Sequence, residues 1–481
     1  MTYRFPESPV FQGPLRPMRL EGEIPDLEYT GTIPQELDGA FYRCGADPQF
    51  PTRVKDDIFI NGDGVVSMFR FDNGRVSFRT RWVRTPRFEA ERKAGRPLFG
   101  AYRNPFTDEP EAEGIDRTTA NTSAIWYAGK LLACKEDGLP FELDPMTLET
   151  RKQWNFDGAL RCPTLTAHPE TDPDTGEMWF YGFEAAGLAS PETVLFAGDA
   201  NGKLLREDWF IPPYGAMIHD FAITQRRVIM PIMPTTADID RMKAGGDHWR
   251  WDGSKNTYLG IMPRNGSSKD FRWFSGPPRW SFHTMNAFDD GTTVNLDTTI
   301  ATVNGFFRNI DGREPTPEDG NFYLTRLTCD LASSTDVFTE TRLWEHPSDF
   351  YCVDPRYRTK PYRYGFMVTK LPDNGVPSPI FNAVGRIDHT TGQVVTWRAG
   401  PASMVQEPIF VSAGPDVAEG QGWLLAVVNR LDRNLSDLVI LDAMNLEAGP
   451  VATVHLPIHL RMTFHGEFVN KKTLREAGAW T

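Results

Sequence analysis

The chain has 481 residues, 40% of them hydrophobic, with a formal net charge of −13 and a pI near 5.3. That apolar content can build a large core, while the acidic balance argues against a polyanionic partner and so against nucleic acid. Five scattered cysteines with no C-x-x-C pair suit free, mostly buried thiols in a reducing compartment.

The first residues, MTYRFPESPVFQGPLRP, contain no apolar signal-peptide core, and no uncharged apolar run approaches the ~20 residues of a membrane span. A cytoplasmic protein without stable membrane association is expected. Pro (38) and Gly (41) are spread along the chain and mark no linker, so one domain over 1–481 is expected. Strand-like runs rich in β-branched and aromatic residues recur at 66–83, 125–136, 177–185, 193–205 and 422–431. Asn73-Gly74 and Asn201-Gly202 read as hairpin turns whose two central residues both take positive φ. An apolar-x-Asp motif followed by a small turn appears at 141–150, 169–178, 385–394 and 439–448, each copy suited to joining antiparallel strands. Helical periodicity is confined to 87–95 and 237–244. The pattern predicts an all-β protein, most simply a seven-bladed β-propeller with long loops and short helices capping one face. Residues 1–30 read as an extension packing on the propeller and 231–256 as a loop and short-helix insertion. A pair of β-sandwiches is the alternative.

Four of the nine histidines, His168, His219, His283 and His465, each follow an apolar or small stretch and precede a turn or new run. In a propeller such strand ends meet the axis. Their separations of 51, 64 and 182 residues match no metal motif, and a core histidine bonded to a carbonyl remains the alternative at each. His248, His346 and His389 sit in polar, turn-rich surroundings and read as surface residues. In HLPIH, His455 and His459 read as a packing or surface feature of one strand face. Glu136 closes an apolar strand and Glu407 lies between apolar residues, where a carboxylate is costly unless paired. A metal-bound imidazole N–H is one suitable partner, and a salt bridge is another.

Ordered segments turn these signals into a resemblance: GTIPQELDGAFYRCGADPQF (31–50), FINGDGVVSMFRFDNGRVSFRTRWVRT (59–85), CKEDGLPFELDPMTLET (134–150), the four histidine segments, VDPRYRTKPYRYGF (353–366), QEPIFV (406–411) and LPIHLRMTFHGEF (456–468). From about 10 to about 470 the chain resembles the carotenoid cleavage oxygenases, most of all the bacterial lignostilbene-cleaving branch. The resemblance implies a seven-bladed propeller holding one Fe(II) through His168, His219, His283 and His465. It implies outer carboxylates Glu136, Glu407 and, in place of a third glutamate, Asp349. The shorter Asp349 is expected to reach its histidine through water or less firmly. Phe59, Tyr102 and Lys135 match the residues that hold a 4-hydroxyphenyl ring. Asp220, beside His219, is expected to fix local backbone or solvent rather than bind metal.

The implied reaction is O2-dependent cleavage of the central C=C bond of a small phenolic stilbene into two aromatic aldehydes. Lys135 and Tyr102 would hold the 4-oxygen as, or near, a phenolate. An apocarotenoid oxygenase on the same iron site is the first competing reading. The charged stretch 235–256 offers no amphipathic anchor for a polyene-bearing membrane. The second is a metal-free propeller that serves as a binding platform. The resemblance also allows a homodimer, for which the sequence identifies no interface.

Overall fold

A computed structural model of the chain describes residues 4–54 and 57–480. Seven antiparallel sheets form the blades of a propeller, with one two-stranded ribbon outside them. Blade 1 closes the ring: its innermost strand, Gly466–Asn470, comes from the C-terminal end and pairs with Gly39–Ala46. Gly466 permits this closure, because a Cβ there would lie 1.9 Å from the Tyr42 carbonyl oxygen. The strands Gly22–Ile24 and Tyr29–Gly31, where an extension was expected, pair as outer strands of blades 1 and 7.

The sequence signals have clear local causes. Asn73 (φ 53°) and Gly74 (φ 73°) are both left-handed between Gly64–Asp72 and Arg75–Trp82, as the dipeptide predicts. The Asn201-Gly202 turn differs from expectation. Only Gly202 takes positive φ (83°), and its N–H donates to the Asp199 carbonyl. The turn is therefore centred one residue earlier and ends in a bulge, with Asp199 accepting from the Asn201 and Lys203 amides. All four apolar-x-Asp copies connect paired antiparallel strands. Asp144, Asp172, Asp388 and Asp442 each accept a backbone N–H two residues on, which is why aspartate recurs there.

Among the described residues there are three short α-helices. α1 (Pro86–Ala94) starts at Thr85, whose hydroxyl accepts from Phe88 N–H, and stops at left-handed Gly95. α2 (Ile239–Lys243) lies between the two ribbon strands, Thr235–Ala237 and Trp249–Trp251, inside the 231–256 segment. α3 (Lys471–Glu476) follows the closing strand and had no sequence counterpart.

Strands such as Gly422–Arg430 and Leu435–Asp442 are buried on both faces because each blade is sandwiched between two others. This explains continuous apolar runs instead of strict alternation. The same geometry brings the start of every innermost strand to the axis. All five cysteines are buried and unpaired, and no helix among the described residues is long and apolar enough to cross a membrane.

Candidate metal centre and cavity

His168, His219, His283 and His465 each sit just ahead of the innermost strand of a blade: Glu170–Thr171, Ala222–Ile223, Thr284–Asp289 and Gly466–Asn470. His219 was expected to end such a strand; instead it precedes one. One ring nitrogen from each of the four lies within 4.8 Å of all the others. Asp220 accepts from Phe221 N–H and Thr284 N–H, both at 2.7 Å, and so ties the His219 segment to the strand after His283. The backbone role expected for it is what it performs.

The orientation of the rings tests whether a metal fits. His219 Nδ1 meets Glu136 Oε2 at 3.0 Å, His283 Nδ1 meets Asp349 Oδ1 at 2.8 Å, and His465 Nδ1 meets Glu407 Oε1 at 2.7 Å. An ionised carboxylate only accepts, so each Nδ1 carries the proton and each Nε2 presents a lone pair. In the neutral rings His219 Nε2 and His283 Nε2 then face each other at 3.3 Å as two lone pairs. The buried Nε2 of His168 has no hydrogen-bond partner among the described residues. Converging lone pairs repel unless a cation lies among them, so the donor set fits a divalent metal held by four imidazoles. Burial, reinforced by the neighbouring imidazoles, also pushes His168 and His465 well below the ordinary histidine range, keeping them in the neutral form that ligates.

The outer carboxylates are themselves anchored. Arg43 is fully buried and donates to Glu407 Oε2 at 2.6 Å, to Thr463 Oγ1 and to the Phe464 carbonyl. Breaking such a buried pair costs roughly 3–5 kcal/mol. Arg43 was missed in the sequence, although an arginine inside YRCG, in a strand whose other residues are apolar, signals a buried partner. Asp349 reaches His283 directly, where a water bridge or a weaker hold was expected. Phe350 takes φ 50° and the strand register shifts between Asp349 and Cys352, a bulge that re-aims the shorter side chain at the axis. Burial would raise the Glu136 pKa, but His219, Lys135 and Arg103 together hold it at about 2.

A cavity of about 270 Å³ lies against His219, His283 and His465, with eight phenylalanines in its walls. Lys135 and Phe59 both line it. Lys135 is 3% exposed, and burial lowers its pKa. Phe59 stands 5.8 Å from Phe306 and 6.0 Å from Phe464, ring centre to ring centre. Tyr102 is placed differently from Lys135. Its ring lies 5.2 Å from Lys135 Nζ, but its hydroxyl donates to Glu136 Oε1 at 3.2 Å. A second, more polar cavity of about 350 Å³ touches His168, His283 and His465 from the other side, where Arg358 pairs with Glu170.

The family model described as retinal pigment epithelial membrane protein matches residues 15–470. The chain belongs to this carotenoid oxygenase family. An isoeugenol monooxygenase of Pseudomonas nitroreducens is 44% identical over 96% of this chain and 98% of its own. Lignostilbene-alpha,beta-dioxygenase isozyme III of Sphingomonas paucimobilis is 43% identical over 98% and 99%. The crystal structure of Pseudomonas brassicacearum lignostilbene dioxygenase superposes with a TM-score of 0.94 at 41% identity, covering 98% of this chain and 100% of that one. This carotenoid oxygenase is thus a double-bond-cleaving dioxygenase built on a seven-bladed propeller.

Other histidines depart from the sequence reading. His248, expected at the surface, is 1% exposed and bridges Glu184 Oε1 (2.8 Å) and the Arg103 carbonyl (2.9 Å). Its polar neighbours belong to the turn after α2, while its ring fills a buried gap beside the Arg103–Glu184 ion pair. His389 is also buried, edge-on to Tyr362, and His346 is half-buried against Trp344. His455 pairs with Asp437, whereas His459 lies beyond the strand Pro450–Leu456, so HLPIH is not one strand face. Thr122, which precedes the inner strand Ser123–Tyr127 of blade 2, occupies the position that other blades give to histidine and lines the apolar cavity. That equivalence becomes visible only once blade boundaries are known.

Proposed function

We propose that the protein is an Fe(II)-dependent dioxygenase that cleaves the central C=C bond of 4-hydroxystilbenes with O2, giving two aromatic aldehydes. The observation that carries this reading is Lys135. A buried lysine amine in a phenylalanine-walled cavity, one residue from the carboxylate that holds His219, is suited to a phenol and has no use for a pure hydrocarbon polyene. The four imidazoles would hold the metal, with Glu136, Asp349 and Glu407 orienting three of them and balancing charge. These donors alone accept zinc or copper as readily as iron. Iron, when bound, supplies the electrons that activate O2, and this requirement selects it.

The residues divide the remaining work. The phenylalanine walls, with Phe59 at the phenol end, exclude water and hold the rings. Lys135, whose burial favours the neutral amine, takes the proton of the 4-hydroxyl and remains paired with the phenolate. The phenolate pushes density through the ring to the double bond and stabilises the cationic carbon that forms on attack, as a quinone methide. Tyr102 has one proton, given to Glu136, so it orients that carboxylate and leaves Lys135 as the group that accepts the phenol proton. A net charge of −13 suits a small phenolic substrate in the cytoplasm, without nucleic acid or stable membrane association.

A second reading, cleavage of a 4-hydroxyphenylpropene such as isoeugenol, is favoured by the similarity to isoeugenol monooxygenase and uses the same phenol end. A panel separates the readings. 4-Hydroxystilbene is expected to be cleaved with kcat/KM at least about 10²-fold above 4-methoxystilbene, isoeugenol and an apocarotenal, with O2 consumed one-for-one. Equal turnover of the methoxy and hydroxy stilbenes would remove the phenolate step, and preference for isoeugenol or the apocarotenal would replace the substrate class.

A further inference from the structure

The apolar cavity contains a second lysine that the phenol-end chemistry does not use. Lys135 is the residue immediately after the second strand of blade 2, Lys130–Cys134. Lys370 is the residue immediately after the second strand of blade 6, Tyr364–Thr369. The two lysines therefore occupy equivalent positions on blades three steps apart in a ring of seven, nearly opposite each other across the axis. The histidine cluster lies between them, and both line the same cavity.

Lys370 lacks the partner its setting calls for. Its Nζ lies 5.4 Å from the Phe381 ring centre, and among the described residues it makes no ion pair or hydrogen bond to a carboxylate or carbonyl. Burial lowers its pKa, and the nearby Asp349 carboxylate opposes that shift without bonding to it. Asp349 is the nearest candidate in sequence register, opposite Val368, but its Oδ1 is committed to His283. Lys370 is half-buried in a cavity lined mostly by apolar side chains, so its cationic end is placed to receive an anion supplied by a ligand.

We propose that Lys370 binds a carboxylate on the second ring of the substrate, so that the preferred substrates are hydroxystilbenes carrying an acid group at the end away from the phenol. This rests on the stilbene reading above and narrows it. A substrate with a cleavable bond over the histidines, a phenol at Lys135 and a carboxylate at Lys370 satisfies both cations at once. A 4-hydroxyphenylpropene reaches only the first.

The test compares 4-hydroxystilbene-4′-carboxylate with its methyl ester, using iron-loaded wild type, Lys370→Met and Lys370→Arg. Wild type is expected to prefer the acid, and Lys370→Met to lower the acid-to-ester ratio of kcat/KM by about 10–100-fold, chiefly through KM. Lys370→Arg should recover part of that ratio. Calorimetry with the uncleavable 4-hydroxybibenzyl-4′-carboxylate should show the same loss in Kd. An unchanged ratio overturns the proposal. So does an equal loss on acid and ester, which would mean that Lys370 merely balances the charge of Asp349. Turnover of neither stilbene by wild type overturns the functional reading itself, and this inference with it.

Discussion

His465→Ala is expected to abolish stoichiometric metal binding and to lower kcat/KM by more than about 10³-fold. Outer partners of a metal ligand are worth about 10–100-fold in affinity, and a direct ligand more. The effect should exceed that of a cavity. Losing His465 leaves Glu407 and Arg43 without the ring they position, and removes one of four converging lone pairs. Chelation of the wild type should give the same loss, reversed by added Fe(II), whereas the variant should not recover. Removing the metal should also lower Tm, since an ion that binds only the folded state stabilises it by RT ln(1 + [L]/Kd). Metal analysis, refilling kinetics and thermal melts read the three effects separately.

The second large effect is at Lys135. Lys135→Met is expected to retain iron, because among the described residues the side chain makes no hydrogen bond to an imidazole, yet to lose about 10²–10⁴-fold in kcat/KM on 4-hydroxystilbene. Burial disfavours the ammonium form and pulls the lysine below its usual range, against the opposing pull of Asp137 and Glu136. It accepts the phenol proton only when neutral. Wild-type kcat/KM should therefore fall as the pH drops through this lowered pKa, and the variant should lose that acid limb. On the alkaline side the free phenol ionises, and a second limb belongs to the substrate. A wild-type profile unchanged by the substitution would remove Lys135 from proton transfer.

How much of this was legible in the chain depends on the range of the interaction. Asn73-Gly74 and the four apolar-x-Asp turns are local, set by positive φ and by an aspartate bonding the backbone two residues on, and they were read correctly. Asn201-Gly202 was read as a hairpin but with the wrong turn, because Asp199 captures two amides and shifts the turn by one residue. The four histidines were visible as strand boundaries, but their irregular spacing hid what they share. His465 returns to blade 1 after blades 6 and 7, so chain separation reflects loop length and ring closure rather than distance at the axis. Asp349 was misjudged because side-chain length was considered without the bulge that moves the backbone. His248 was misjudged because polar neighbours in sequence belong to a turn, whereas its partners Arg103 and Glu184 come from loops distant in the chain. Lys370 carried no signal at all until its position could be matched to that of Lys135.

X-ray absorption on the purified, iron-loaded protein, with metal content measured on the same sample, tests the central claim most directly. The expected result is one iron per chain surrounded by four imidazole nitrogens, with the imidazole scattering reduced to three in the His465→Ala protein if any metal is retained. Iron bound mainly by oxygen ligands, or full activity in protein containing no metal, would contradict it.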